Sequence, residues 1–164
     1  MSASPDPDWT REAPTRFWDP SRRLLRSIRR WQAARGPVVR RWWVLHYRFW
    51  SVVTGADIPL SCRIGGGLVM PHPNGIVLHP DVEIGPNCLI FQQVTIGLVE
   101  TTPKAPRIGA GVDIGAGAKV LGDVAVGDGA RIGANAVVLR DVPAGAVAVG
   151  VPARIRQGTP NGSR

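Results

Sequence analysis

A six-residue repeat runs from Leu78 to Gly150 and constrains the fold more than any other feature of this chain. Every sixth residue from Leu78 to Val138 is Ile, Val or Leu, except Thr102, and the residues four positions further on are mostly small or β-branched. A period of six fits neither an α-helix nor a simple strand, whose side chains repeat every 3.6 and every second residue. It is typical of a parallel β-helix, in which each hexad supplies one short strand and one corner. We therefore expect an all-β core of about four coils.

The two cysteines, Cys62 and Cys88, fall on small inward positions of the repeat. We interpret them as core residues in a reducing compartment rather than as a disulfide. No stretch is long and apolar enough to predict a transmembrane helix, and the N-terminus lacks the apolar region of a secretory signal. These features predict a cytoplasmic protein.

Composition divides the chain into four segments. Residues 1–18 are rich in Pro, Asp and Ser and predict a disordered tail. Residues 19–54 predict a basic, Trp-rich helical segment, with one helix over 21–35 and a second over 38–53. The β-helix follows over residues 55–156. Residues 157–164 are expected to be a flexible C-terminus.

The helical segment carries most of the positive charge. Residues 21–56 contain nine Arg and no acidic residue, whereas the rest of the chain is close to neutral. One interpretation is a cap on the open end of the β-helix or at a subunit contact. The other is peripheral contact with an anionic membrane through residues 21–53, because Trp and Arg on an amphipathic helix suit a lipid interface. No nucleic-acid-binding motif is present, and no nucleic-acid partner is expected.

The repeat slips by two residues directly after the segment Pro71 to Gly75. A chain that breaks its repeat must bulge outward, so His72, between two prolines, is expected in a rigid and partly exposed position. Imidazole titrates near neutral pH and is the natural general base for removing a proton from an alcohol. Asp57 is the candidate acid that orients this base, although their proximity is a hypothesis because fifteen residues separate them in a coil of about eighteen.

A second irregularity spans Leu98 to Arg107. Either this loop replaces two corners without extra length, or it protrudes and the repeat resumes in phase.

Of the other histidines, His46 is expected to have a structural or surface role. His79 is expected either to have a structural role or to lie in a pocket wall. The sequence contains no His/Cys/Asp cluster at metal-ligand spacing, no phosphate-binding loop and no G-x-S-x-G motif.

Several motifs resemble those of hexapeptide-repeat acyltransferases: the hexads Ile-Gly-Ala-Gly-Val-Asp from Ile108 onward, Ile-Gly-Ala-Asn-Ala-Val from Ile132 onward, and a closing Gly-Val-Pro-Ala-Arg that ends at Arg154. Within that superfamily, Gly-Ala-Asp-Ile around Asp57, His-x-x-Gly-Ile-Val from His72 and Gln-Val-Thr-Ile-Gly ending at Gly97 resemble serine O-acetyltransferases most.

This resemblance implies a left-handed parallel β-helix and a homotrimer that binds acetyl-CoA as co-substrate in the cleft between neighbouring prisms. It implies that His72 is the general base and that Asp57 is its acidic partner. It also implies that Gly97, Ala116 and Ala134 line the acetyl-CoA cleft, where small residues let the pantetheine arm lie flat. No metal is expected.

The chain departs from that family at three positions. Pro59 and Pro71 stand where serine acetyltransferases carry His and Asp, and Ala105 stands where they carry a second active-site His. The expected activity is serine O-acetylation for cysteine biosynthesis, with a sugar hydroxyl of exopolysaccharide or capsule as the alternative acceptor. A third interpretation, a non-catalytic β-helix scaffold, leaves the position of His72 unexplained. Because the helical segment is much shorter than in that family, a trimer is expected rather than a hexamer.

Overall fold

The helices come first along the chain, and the short strands follow. The computed structural model describes residues 6–100 and 102–157, which contain a 3-10 helix, two α-helices and thirteen strands of two or three residues. The helices are the 3-10 helix Trp9–Glu12, α1 Pro20–Ala33 and α2 Pro37–Thr54. The strands are β1 Arg63–Ile64, β2 Val77–Leu78, β3 Glu83–Ile84, β4 Leu89–Ile90, β5 Thr95–Gly97, β6 Arg107–Ile108, β7 Asp113–Ile114, β8 Lys119–Leu121, β9 Ala125–Val126, β10 Arg131–Ile132, β11 Val137–Val138, β12 Val147–Val149 and β13 Arg154–Arg156.

The strands stack into three faces of a prism. The first face has the order β1-β3-β6-β9, the second β4-β7-β10-β12 and the third β2-β5-β8-β11. Neighbouring strands in each face are parallel, and β13 closes the second face by pairing antiparallel with β12. The prediction of a left-handed parallel β-helix with a short N-terminal helical segment is confirmed.

The hexad pattern maps directly onto the core. The described aliphatic residues that recur every sixth position from Leu78 to Val138 are at most 4% exposed. In the two-residue strands of all three faces, the second side chain points inward and is buried, while the first is exposed or half-buried. A Cβ on Gly115 would lie 2.6 Å from the backbone nitrogen of Ala134 in the next coil, so glycine lets the corners stack this closely. One buried aliphatic per hexad therefore accounts for both the period and the core.

The second irregularity protrudes from the prism. Arg107 pairs with Ala125, 18 residues on, but Glu83 pairs with Arg107, 24 residues on. The coil that contains the second irregularity is therefore one hexad longer than the next, and the repeat resumes in phase because the excess is six residues. Of the two alternatives that the sequence left open, the protruding loop is the one observed.

Both cysteines lie in the core as predicted. Cys62 and Cys88 are free thiols with no exposed surface. Burial raises the pKa of each to about 11. Both thiols are therefore protonated at neutral pH and are poor nucleophiles.

Helix α1 covers the start of the prism. Leu24, Leu25 and Ile28 are buried on one face, as the sequence pattern predicted. The Asp19 carboxylate does not cap the helix with its side chain; it accepts from the backbone N–H of Thr15 at 3.3 Å and pairs with Arg22 at 3.2 Å.

Helix α2 turns its predicted apolar stripe away from the protein. The buried residues of α2 are Trp50 and Thr54, and the helix ends at Gly55, whose φ of 64° is left-handed. The residues predicted to share one face are exposed in the single chain, at 62% for Trp42, 63% for Leu45, 55% for Phe49 and 83% for Val52. Neither described α-helix is long and apolar enough to cross a membrane.

The N-terminal segment differs from the disordered tail expected over residues 1–18. Glu12, in the 3-10 helix, is 8% exposed and pairs with Arg29 of α1 at 2.8 Å. The same carboxylate accepts from the backbone N–H of Leu68 at 3.2 Å. The Asn87 side chain accepts from the Asp8 backbone N–H at 2.8 Å. Because these contacts reach α1 and the β-helix, residues 6–18 pack against the folded domain.

Residues 1–5 of the expected tail lie outside the described residues, as do residues 158–164 of the expected flexible C-terminus.

Candidate active site

The His72 turn (residues 71–75) is a two-residue insertion at one corner of the prism. Eight residues separate Val69 from Val77, whereas six separate Leu89 from Thr95, the residues that pair with them in the next coil. The slip predicted from the sequence is thus confirmed, and the extra residues form this turn.

Backbone hydrogen bonds tie the C-terminal end of the His72 turn to Gly55 on one side and to Gln93 of the next coil on the other. The N–H of Gly75 donates to the Gly55 carbonyl at 2.8 Å, and the N–H of Gln93 donates to the Asn74 carbonyl at 2.9 Å. Gly75 has a φ of 70°, a conformation that favours glycine. Pro71 and Pro73 further restrict the backbone on either side of His72. The turn therefore holds His72 on a rigid support, with an exposed side chain.

Asp57 lies on the strand position that stacks on Val77, just beyond this turn. Its N–H donates to the Ile76 carbonyl at 2.8 Å, and its carbonyl accepts from the Leu78 N–H at 2.9 Å. The Asp57 side chain is exposed. Burial raises the pKa of Tyr47 in α2, and the Asp57 carboxylate raises it further, which places this carboxylate within electrostatic reach of the Tyr47 hydroxyl.

The structure brings Asp57 and His72 to the same end of the prism but not into contact. Within the described part of the single chain, no ion pair within 4.0 Å or hydrogen bond joins the two side chains. At the level of the backbone, the turn and the Asp57 strand are neighbours, since Gly75 bonds to Gly55 and Asp57 bonds to Ile76. Contact between carboxylate and imidazole stays a prediction.

His72 lines an open cleft of about 600 Å³, here called the His72 cleft. One wall is the His72 turn, and a second is the end of α2 at Val53 and Thr54. The third wall is the segment from Thr15 to Arg22. The cleft thus places an exposed imidazole beside hydroxyl, guanidinium and indole groups.

The N-terminal wall is the part of this site that the sequence reasoning missed. Trp18 packs edge-on against Trp50 of α2, with ring centroids 5.6 Å apart, and the guanidinium of Arg23 lies 5.5 Å from the Phe17 ring centre. These contacts hold residues 15–22 beside the His72 turn. A signal was present, because aromatic residues are scarce in disordered segments, yet Trp9, Phe17 and Trp18 fall within the first 18 residues.

Ala116 and Ala134 lie on the same corner as the His72 turn. A backbone ladder runs down this corner: Gly117 N–H donates to the Gln92 carbonyl and Asn135 N–H to the Ala116 carbonyl, each at 2.8 Å. Ala116 is half-buried and Ala134 is exposed. The two alanines therefore form a low ridge that continues from the turn.

Gly97 lies at the opposite edge of the third face, at the end of β5. A Cβ there would meet His79 Cβ at 4.0 Å and nothing nearer. Packing within the described chain therefore does not require glycine at this position, unlike at Gly115. The three residues predicted to bind acetyl-CoA thus lie along two opposite edges of the third face: Ala116 and Ala134 along one edge, and Gly97 along the other.

His79 and Ala105 do not line the His72 cleft. His79 Nδ1 accepts from the backbone N–H of Asp81 at 3.3 Å, which ties the ring into its own corner. Ala105 is buried in the core. The described residues contain no group of three or more His, Cys, Asp or Glu side chains placed to hold a metal ion.

Comparison with known proteins confirms the resemblance to serine acetyltransferases. The family described as bacterial transferase hexapeptide (six repeats) matches residues 105–140. A serine acetyltransferase of Synechocystis sp. is 46% identical over 113 residues, which cover 68% of this chain and 45% of the relative. The chain thus spans less than half the length of that relative.

Solved structures show the same likeness over most of this chain. A serine acetyltransferase in complex with CoA has a TM-score of 0.72 and 36% identity, covering 85% of this chain and 58% of that one. The soybean serine acetyltransferase complexed with serine has a TM-score of 0.70 and 34% identity, covering 84% of this chain and 56% of that one. The similarity therefore includes the helical segment as well as the β-helix.

Proposed function

We propose that this chain is an acetyl-CoA-dependent O-acetyltransferase that acts first on L-serine, yielding O-acetylserine and CoA for cysteine biosynthesis. One observation supports this most: the repeat is interrupted at His72, within a β-helix similar to that of serine acetyltransferases. A β-helix that served only as a scaffold would not need an exposed histidine on a two-residue insertion held between prolines.

In the proposed reaction, transfer is direct. His72 accepts the proton of the acceptor hydroxyl while the oxygen attacks the thioester carbonyl carbon of acetyl-CoA. The resulting tetrahedral intermediate collapses, the carbon–sulfur bond breaks, and the CoA thiolate takes the proton from His72. No covalent enzyme intermediate is needed, because holding both substrates beside the base supplies much of the rate enhancement.

Asp57 is proposed as the acidic partner of His72. It would orient the imidazole and stabilise the imidazolium that forms as the proton is transferred. The backbone bonds of Asp57 to Ile76 and Leu78 keep its Cα beside the base of the His72 turn. Rotation of the exposed imidazole about its side-chain bonds is then the movement that would bring the two groups together.

Acetyl-CoA is proposed to lie along the third face, against Gly97, Ala116 and Ala134. The ridge of Ala116 and Ala134 leads to the His72 turn, and small side chains there leave a flat surface for the pantetheine arm. A neighbouring prism would form the other side of this cleft in a homotrimer. We place the catalytic unit in residues 55–156 and the protein in the cytoplasm, with peripheral membrane contact within residues 21–53 through the exposed face of α2, since the apolar face of α1 is buried.

A sugar hydroxyl is the second candidate acceptor, and the His72 cleft favours it. Its volume of about 600 Å³ falls within the ~300–1,000 Å³ typical of sites for ligands much larger than serine. Ala105 is buried and Pro71 has no acidic group, so two positions that could hold the amine or carboxylate of serine lack the chemistry to do so.

An acceptor assay tests both candidates. The full chain is incubated with acetyl-CoA and either L-serine or a panel of sugars and nucleotide-linked sugars, and free thiol is measured over time. Thiol release that depends on L-serine supports the first candidate, and release that depends on a sugar supports the second. No release with any acceptor, from protein shown to be folded by circular dichroism, would contradict the enzyme proposal in favour of a scaffold.

A further inference from the structure

Helix α2 presents an apolar surface that nothing in the described chain covers. We define the α2 stripe as Val38, Trp42, Leu45, Phe49 and Val52. These residues recur at intervals of three and four, so they share one face of the helix, and each is more than half exposed. Isolated exposed apolar residues are ordinary, but five in one line that include Trp and Phe form a contiguous patch of the kind that marks an interaction site.

Arginines border this stripe. Arg41 precedes Leu45 by four residues, and Arg48 precedes Val52 by four, so both lie against the stripe on one side of α2. Both side chains are exposed, and neither has an ion-pair partner among the described residues. Residues 20–56 contain no Asp or Glu. The surface is therefore apolar along its centre and cationic along one edge.

We propose that the α2 stripe docks on the surface of an anionic lipid bilayer. The apolar side chains would enter the boundary between headgroups and acyl chains, and Arg41 and Arg48 would contact lipid phosphates. Self-association of this face fits the charges less well, because two copies would bring their arginines together without any carboxylate from residues 20–56 between them. The helix lies on the bilayer rather than across it, since neither described α-helix can span one.

Docking in this way would place the bilayer surface next to the His72 cleft. Val53 and Thr54, which follow the last residue of the stripe, form one wall of that cleft. An acceptor anchored in the membrane would then reach His72 without leaving the lipid surface. This consequence rests on the proposed acetyl transfer, but the docking itself does not.

Vesicle co-sedimentation of the full chain tests the docking. The vesicles are phosphatidylcholine alone or an equimolar mixture of phosphatidylcholine and phosphatidylglycerol. We expect the chain to sediment with the anionic vesicles and not with the neutral ones, and to be released as salt is raised. Binding to neither kind of vesicle, or equal binding to both, would overturn the proposal.

Matched variants locate the contact. Trp42→Ser/Phe49→Ser is expected to lower the vesicle partition coefficient by at least about tenfold, since burying one large apolar side chain changes such a coefficient by a factor of about ten or more. Val52→Ser is expected to weaken binding, whereas Val151→Ser, a change at an exposed valine on the β-helix, should not. Arg41→Gln/Arg48→Gln should reduce the preference for anionic vesicles.

The same variants distinguish a protein partner from a membrane. If Trp42→Ser/Phe49→Ser leaves vesicle binding unchanged but lowers the mass measured by light scattering, the stripe contacts a second copy of the chain and the proposal is wrong. Since all substituted side chains are exposed, circular dichroism should match the wild type. Acetyl transfer to a water-soluble acceptor should also persist, so failure of the docking and failure of the proposed reaction can be told apart.

Discussion

At the scale of single residues, His72 combines three features: it lies where the repeat is interrupted, its side chain is exposed, and that side chain is an imidazole. The two-residue insertion takes its side chain out of the hexad pattern, and the bonds of Gly75 and Asn74 to neighbouring coils fix the turn that carries it. A histidine on a regular strand would have pointed either into the core or along a flat face. The irregularity therefore leaves this imidazole exposed for its proposed role as a base.

Replacing His72 tests its role directly. His72→Ala should lower the rate of acetyl transfer at least ~10²-fold, because a positioned general base contributes about that much. The measurement is CoA thiol release with the acceptor that proves active. His79→Ala is the matched control, since His79 bonds within its own corner, and it should keep most of the activity. Near-normal turnover of His72→Ala would contradict the proposed mechanism.

His46 links the two α-helices by hydrogen bonds, and these bonds define its tautomer. The Trp50 indole N–H can only donate, so His46 Nε2 accepts it at 3.2 Å and the neutral ring carries its proton on Nδ1. Nδ1 then donates to Ser27 Oγ at 2.7 Å, and that hydroxyl donates to the Arg23 carbonyl at 2.7 Å. Burial lowers the pKa of His46, and the charges of Arg23 and Arg26 lower it further. The predicted structural role of His46 fits this network.

The lowered pKa of His46 predicts how stability depends on pH. The unfolded chain, with a histidine pKa near 6.5, takes up the proton before the folded chain does as pH falls. The contribution of His46 to the free energy of unfolding is therefore complete above about pH 6.5 and is lost as pH drops from there toward the lower folded pKa. Urea unfolding at a series of pH values measures this loss. His46→Leu should flatten the dependence between pH 7 and 5, and an unchanged slope would contradict the assignment.

At the scale of elements, the N-terminal segment depends on one buried charge pair. Arg29 donates to both carboxylate oxygens of Glu12, at 2.8 and 3.2 Å, and to the backbone carbonyls of Ile64 and Gly65. This cluster ties the 3-10 helix to α1 and to the first coil of the prism. Because the segment that follows forms a wall of the His72 cleft, the pair also shapes the candidate site.

Glu12→Gln should destabilise the protein by about 2 kcal/mol, because it leaves the Arg29 charge without its carboxylate in a largely buried place. Trypsin cleavage after Arg11 and Arg16 should become faster as the segment detaches. The matched control is Glu83→Gln, whose pair with Arg63 is exposed to solvent, and it should cost less than about 1 kcal/mol. Equal effects of the two substitutions on urea unfolding would argue against a special role for Glu12.

The elements also differ in how far their sequence patterns predicted them. The strands were predictable because each hexad must bury one aliphatic residue, whatever the rest of the chain does. The two α-helices were predictable from their apolar spacing, to within two residues at the end of α1. The contacts of residues 6–18 were not, because they depend on Arg29, Leu68 and Asn87, which lie far away along the chain.

At the scale of the whole molecule, the third face of the prism is suited to contact with another copy. Val77 on β2 and Leu98 and Leu139 at its edge are large apolar side chains with more than a third of their surface exposed. The same face carries the proposed acetyl-CoA residues. A neighbouring prism packed there would cover the apolar side chains and complete the cleft.

The proposed homotrimer predicts a light-scattering mass of three times the 17.6 kDa of one chain. Val77→Asp/Leu139→Asp should shift the protein toward the monomer, because two charges would be buried at the contact, and should lower acetyl transfer with it. Circular dichroism checks that the prism still folds. A monomeric wild-type protein with full activity would contradict the proposed trimeric site.

The sequence by itself determined the β-helix, its inward residues and the place where the repeat breaks, because a six-residue period has few structural solutions and a two-residue shift of its phase must be accommodated outside the core. The tertiary structure decided that the coil from Glu83 to Arg107 loops out one extra hexad and that the N-terminal segment forms a wall of the His72 cleft. It also decided that the apolar stripe of α2 faces away from the prism. The physical reason is the same in each case: periodicity reports which side chains need burial, but only the folded chain shows which surface is there to bury them.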